Sequence, residues 1–105
     1  MRPIPLKLRQ QLSNDPYYSR CARWMDGGCN GRMTWEHAFI YAGQQINERW
    51  AIIPLCWFHH LGEGLNKAKN QLIAIVRASV EDLAKYPNTN WERLKKQLEL
   101  KLFIQ

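Results

Sequence analysis

The sequence predicts a small α+β domain, a short pair of strands joined to a helix at a cysteine- and histidine-rich centre, with more helices following. Three observations lead there. Every cysteine and histidine of the 105 residues lies between Cys21 and His60. Two runs rich in β-formers, 32–40 and 50–54, fall inside that interval. Beyond residue 65 the apolar residues take helical spacing.

Residues 1–16 hold three of the five prolines, with Arg2, Lys7 and Arg9 between them. They read as an extended N-terminal arm with one helical turn around Leu6–Leu12. Such an arm packs on the domain or follows a phosphate backbone, and packing is the simpler expectation. Residues 17–105 then form one domain, with its core over 20–70 and C-terminal helices over 71–105.

Within the core, Tyr17 to Gly31 is turn-rich, and glycines flank Cys29 where backbone amides can turn toward a metal-bound sulfur. Arg32 to Ile40 predicts a first strand. Tyr41 to Arg49 predicts a polar connection, and Trp50 to Pro54 a second strand that Pro54 stops. Cys56 to Leu61 begins a helix, interrupted near Gly62-Glu63-Gly64. A helix is expected from Asn66 to Ala78. Ser79 then caps a short one through Tyr86, which Pro87 ends. Asn90 caps the last, on which Trp91, Leu94, Leu98 and Leu102 form an apolar stripe. That stripe reads as core, with Lys95, Lys96 and Lys101 on a solvated face.

Fifteen Lys and Arg against nine Asp and Glu give a formal charge of +6. A field of that sign attracts polyanions, of which nucleic acid is the usual one, although a merely soluble basic protein has the same count. Three cysteines cannot all pair within the chain, which argues for thiolates in a reducing compartment, and cytoplasmic localisation is expected. No long apolar stretch opens the chain, and the run Ala51–Phe58 is too short to cross a bilayer, so no membrane partner is expected.

Cys56-x-x-His59 is a metal-knuckle spacing, and Cys21 with Cys29 completes a four-ligand shell. Thiolate and imidazole ligands favour a structural Zn²⁺ over hard cations. The competing reading is three ordinary buried cysteines. Helical geometry leaves both His59 and His60 open as the fourth ligand, since i+3 and i+4 share a face. If Cys56 precedes the helix, His59 is favoured. Either way the histidines outnumber the needs of a purely structural site.

The run Glu36-His37 … Ile52-Ile53-Pro54-Leu55-Cys56-Trp57-Phe58-His59-His60 resembles the HNH endonuclease family, whose fold is the zinc-bound ββα-metal centre. Trp35-Glu36-His37-Ala38-Phe39 with the Ile-Tyr-Ala-Gly that follows is similar to small phage-associated members of that group. The resemblance covers about residues 20–70, with His59 standing where the family has its last zinc cysteine.

It implies a metal-dependent DNA endonuclease or nickase. His37 would be the general base, and Glu36 and His60 would hold one catalytic Mg²⁺ or Mn²⁺. Arg32 and Arg49 would clamp phosphates, and Lys67 and Lys69 are further nucleic-acid contacts expected from their charge. The family's middle asparagine would fall near Ala51, which has no amide, and Asn47, four residues earlier, is the candidate that would supply one. A homodimer or a larger phage protein is an expected partner beside DNA. Trp35, Trp50 and Trp57 are expected in the core around the site. Two rival classes stand beside this one. A non-catalytic zinc-stabilised nucleic-acid-binding module would bind DNA without cutting it, and a metal-stabilised protein-interaction domain would have no DNA affinity at low salt.

Overall fold

The computed structural model describes residues 4–104; Met1, Arg2 and Pro3 of the expected arm, and Gln105, lie outside the described residues. The elements run α1 (Leu6–Ser13), β1 (Met33–His37), β2 (Ile40–Tyr41), β3 (Gln44–Gln45), β4 (Ile52–Cys56), α2 (Trp57–His60), α3 (Lys67–Ile75), α4 (Val80–Ala84) and α5 (Trp91–Ile104). Short 3₁₀ turns cover Pro16–Ser19, Trp24–Asp26 and Arg49–Ala51. The α+β class is as expected. No helix among the described residues is long and apolar enough to cross a membrane.

β1 and β4 form an antiparallel pair in which Thr34 faces Leu55, Glu36 faces Ile53 and His37 faces Ile52. Alternation gives this ribbon two different faces. Ile53 and Leu55 enter the main core with Ala74 and Ile75 of α3. Ile52 packs instead with Leu12 and Tyr18, and Trp35 lies against that second cluster. One face therefore looks toward α3 and the other toward α1.

The second strand differs from expectation at both ends. Trp50 sits in a 3₁₀ turn before the strand, and Pro54 lies in its middle, opposite Trp35. Geometry explains why the proline is tolerated. Its carbonyl points away from β1 and accepts the Ala22 amide at 2.7 Å. The amide hydrogen it lacks would have pointed the same way, so no bond to β1 is lost.

The first strand is likewise shorter than 32–40. After His37 the Ala38 amide still bonds the Ala51 carbonyl at 2.9 Å, and the chain then turns into a separate hairpin, β2–β3. Ala42 (φ +52°) and Gly43 (φ +79°) make its two-residue turn, both in the left-handed region. A hairpin of that length needs such a turn to match the right-handed strand twist. The expected polar connection is thus a structured hairpin.

The N-terminal arm packs on the domain, the simpler of the two expectations, and its helical turn is longer than expected. Residues 6–13 are an eight-residue helix whose Leu12 is fully buried against the Tyr18–Ile52 cluster, so this segment is part of the domain wall. Sixteen residues with three prolines read as extended, but none of those prolines lies inside 6–13.

At the C-terminal end the expectations hold. Ser79 and Asp82 form a reciprocal capping box, with the Asp82 amide 3.0 Å from Ser79 Oγ and the Ser79 amide 2.9 Å from Asp82 Oδ2. Asn90 accepts the Arg93 amide at 3.1 Å at the start of α5. Leu98 is buried, and Trp91 meets Phe39 and Trp50 edge to face at 5.5 and 5.8 Å. Trp50 is core as expected. Trp57 is not: it is 47% exposed, its stem against Gly31 and one edge of its ring against Gly62.

Candidate metal centre and neighbouring residues

Three chain segments meet where β4 becomes α2. Cys56 ends β4, His59 lies in the single turn of α2, and Cys21 and Cys29 come from the turn-rich loop. Backbone bonds hold that loop in place, with the Trp57 amide on the Arg32 carbonyl at 2.9 Å and the Phe58 amide on Asn30 at 3.0 Å. The turn depends on Gly31, at φ +85°, where a Cβ would come 2.6 Å from that of Trp57.

His59 Nδ1 lies 3.5, 3.6 and 3.2 Å from the sulfurs of Cys21, Cys29 and Cys56. One ring nitrogen cannot donate to three sulfurs at once. A tetrahedral ion with Zn–S about 2.3 Å and Zn–N about 2.0–2.1 Å would set sulfur and nitrogen about 3.6 Å apart. All four ligand atoms lie within 4.8 Å of one another. Cys21, Cys29, Cys56 and His59 are positioned to bind a metal ion, and three thiolates with an imidazole suit a soft or borderline divalent ion.

Crowding of the sulfurs divides their acidity. Desolvation, then hydrogen bonds with the other two thiols, pushes Cys29 up to about 11. Burial also opposes ionisation of Cys56, but the backbone amides of His59 and Asn30 point at its sulfur and bring it down to about 6. The glycine-flanked loop thus aims an amide at a sulfur, though at Cys56 and not at its own Cys29.

No known protein family matches this chain, and no curated protein or solved structure does. What the residues can do must be read from their own geometry.

His60 turns away from the sulfurs. Its Nδ1 lies 2.6 Å from Thr34 Oγ1, and that hydroxyl donates to the Leu55 carbonyl at 2.8 Å. With its one proton given to Leu55, Thr34 accepts from His60, so Nδ1 carries hydrogen and Nε2 is left as the lone-pair atom. Burial lowers the His60 pKa below the usual imidazole value; Glu36 opposes this and Lys67 adds to it. The ring is therefore neutral at pH 7, as a metal ligand must be.

Glu36 shares the α3-facing side of β1 with Thr34, and it is 5% exposed. Its Oε1 takes the Lys67 ammonium at 3.0 Å, while Oε2 is buried without a hydrogen-bond partner. Gln45 Oε1, Trp50 Nε1 and Asn70 Oδ1 share that lack, but only the glutamate is a charged type. A bare buried carboxylate oxygen is costly unless a cation meets it.

His37 follows Glu36 at the end of β1, and alternation directs it to the other face, beside Ile52. Its Nε2 lies 2.7 Å from Asn47 Oδ1. Since a carboxamide oxygen only accepts, Nε2 carries the hydrogen and Nδ1 the lone pair. Ala51 is a buried methyl in a 3₁₀ turn, so the amide at this histidine is supplied by Asn47.

Three of the four expected phosphate contacts are engaged in ion pairs. Arg49 pairs with Asp15, Lys67 with Glu36, and Lys69 with Asp26 at 2.7 Å. Arg32 is exposed, and its side chain makes no hydrogen bond or ion pair among the described residues. Sequence reading missed Thr34, which orients His60. It also missed Asn70, fully buried, whose Nδ2 reaches the His59 carbonyl at 3.4 Å. A threonine two residues before Glu36 was the available signal for the first; nothing marked the second.

Proposed function

We propose that the chain is a metal-dependent DNA endonuclease or nickase of the HNH type, with Zn²⁺ as its structural ion. The observation that carries the reading is the presence of two open ligand atoms, on β1 and α2, in the elements that adjoin the Cys₃His set. His59 completes that set, and the open atoms are the buried, unpartnered Oε2 of Glu36 and the lone-pair Nε2 of a neutral His60. The order strand, strand, one-turn helix, with the metal centre at the second junction, also accords with a ββα-metal fold.

A divalent cation, Mg²⁺ or Mn²⁺, held by Glu36 and His60 would supply charge stabilisation at the phosphate and the departing 3′ oxygen. The chain's own residues do the rest. Thr34 fixes the tautomer of His60. Asn47 fixes that of His37, whose Nδ1 takes a proton from the attacking water. Arg32, exposed and without an ion pair among the described residues, offers its guanidinium to a phosphate without reading sequence.

One observation favours a second reading, a non-catalytic zinc-stabilised nucleic-acid-binding module. The pleat of β1 sends His37 to the α1-facing side while Glu36 stays on the other, so the base must turn at the strand end to share a phosphate with them. A plasmid-nicking assay with Mg²⁺ or Mn²⁺ separates the two. The endonuclease reading expects nicking in wild type that falls at least about 100-fold in His37→Ala, with zinc content and DNA affinity retained. DNA binding without cleavage in wild type would refute it and leave the binding module.

A further inference from the structure

Lys67 and a divalent cation are rival counter-ions for one carboxylate. The ammonium sits 3.0 Å from Glu36 Oε1 on a side chain 54% exposed, while the Glu36 side chain is 6% exposed. Its place is unusual on its own helix. Lys67 opens α3, a nine-residue helix with no acidic residue in its first turn, where the positive end of the dipole disfavours a cation. Local helix chemistry does not explain a lysine there. The carboxylate across from it does.

Positive charge that close weakens the binding of a second cation. The converse holds as well: an ion on Glu36 loosens the hold of the carboxylate on Lys67. The lysine stem is long, and its head already borders solvent.

We infer that Lys67 is an exchangeable counter-ion of the candidate cation site: it neutralises Glu36, yields the carboxylate to a divalent ion, and then turns its ammonium to a DNA phosphate. The inference rests on the reading of Glu36 and His60 as cation ligands. It makes metal and DNA binding reciprocal, each tightening the other by the same factor.

The test uses the full chain carrying His37→Ala, so that DNA survives. Mn²⁺ binding is followed by the electron paramagnetic resonance of the free ion, and binding of a duplex by fluorescence anisotropy with and without Mn²⁺. Lys67→Met should bind Mn²⁺ about tenfold more tightly, the order expected for removing from beside a divalent ion one unit charge whose head borders solvent. The gain in DNA affinity that Mn²⁺ gives the parent should vanish in Lys67→Met and persist in Lys67→Arg. Should Lys67→Met fail to fold, as judged by its circular dichroism, Lys67→Gln carries the same expectation. Mn²⁺ binding that needs Glu36, shown by its loss in Glu36→Gln, yet is no tighter in Lys67→Met, overturns this inference and leaves the nuclease reading standing. An Mn²⁺-induced gain in DNA affinity that survives in Lys67→Met overturns the transfer to phosphate. Absence of Glu36-dependent Mn²⁺ binding in every variant removes the cation site and both ideas with it.

Discussion

Stripping the Zn²⁺ proposed for the Cys₃His set should unfold this protein, not merely release a loop. Residues 20–32 have one three-residue 3₁₀ turn as their regular structure, and Cys21 from this loop is a buried part of the main core. A structural Zn²⁺ contributes about 10–16 kcal/mol of apparent binding free energy in small peptides at neutral pH. A domain of this size is stable by only about 5–15 kcal/mol in total. The difference leaves little or nothing. Thermal melts by circular dichroism, with and without a strong chelator and with metal content measured, should show loss of the cooperative transition. Cys29→Ser is the cleanest single variant, because this thiol is exposed and its loss reports ligation without a change in core packing. Refutation would be a metal-free protein that melts cooperatively within about 5 °C of the loaded one, a change worth only about 1 kcal/mol. The three sulfurs would then be ordinary thiols that happen to surround a histidine.

Other expectations follow from the same geometry. Asn47→Ala should lower kcat about tenfold, the effect of losing one hydrogen bond of about 1.4 kcal/mol at the general base, with zinc content unchanged; an unaltered rate would remove Asn47 from the mechanism. Gly31→Ala combines a left-handed backbone with a clash against Trp57, whereas Gly27, at φ +76°, has open space around it. Urea titrations should place the Gly31 change at about 2 kcal/mol or more and Gly27→Ala nearer 1. Acid sensitivity has an identifiable source in Asp26, whose carboxyl is held below its ordinary value by hydrogen bonds from Lys69 first and then Arg23. A lowered folded-state pKa adds stability above the unfolded value, about 3.9, and the gain is lost as pH falls through the folded one. Between pH 6 and pH 3 the urea midpoint should therefore fall less in Asp26→Asn than in wild type.

Much of the centre was legible because ligand chemistry is local in sequence. Cys56 and His59 are three apart, and the position of Cys56 as the last strand residue decides for His59 over His60. The C-terminal helices were legible through caps, since Ser79 and Asn90 advertise their starts. Less legible was everything set by long-range pairing. Pro54 reads as a strand stop until its partners on either side are known, and Ala42-Gly43 lacks the Asn-Gly or Asp-Gly signature of a two-residue turn. The expected phosphate contacts Lys67 and Lys69 were chosen by charge alone. Their carboxylate partners lie 31 and 43 residues away, beyond the reach of any local pattern. Trp57 misled for the opposite reason: its stem packs on a glycine, so a large apolar ring can remain half in solvent.

The placement of Pro54 bears on how copies of this protein behave when crowded. A lone pair of strands exposes two rims, and an open rim invites a strand from another molecule. Along β4 that invitation is withdrawn. Pro54 has no hydrogen to offer, its carbonyl is claimed by Ala22, and the carbonyl of Ile52 is claimed by Tyr18 and Arg77. The domain thus carries its own guard against templated aggregation on this rim, built from one imino acid and three ordinary donors.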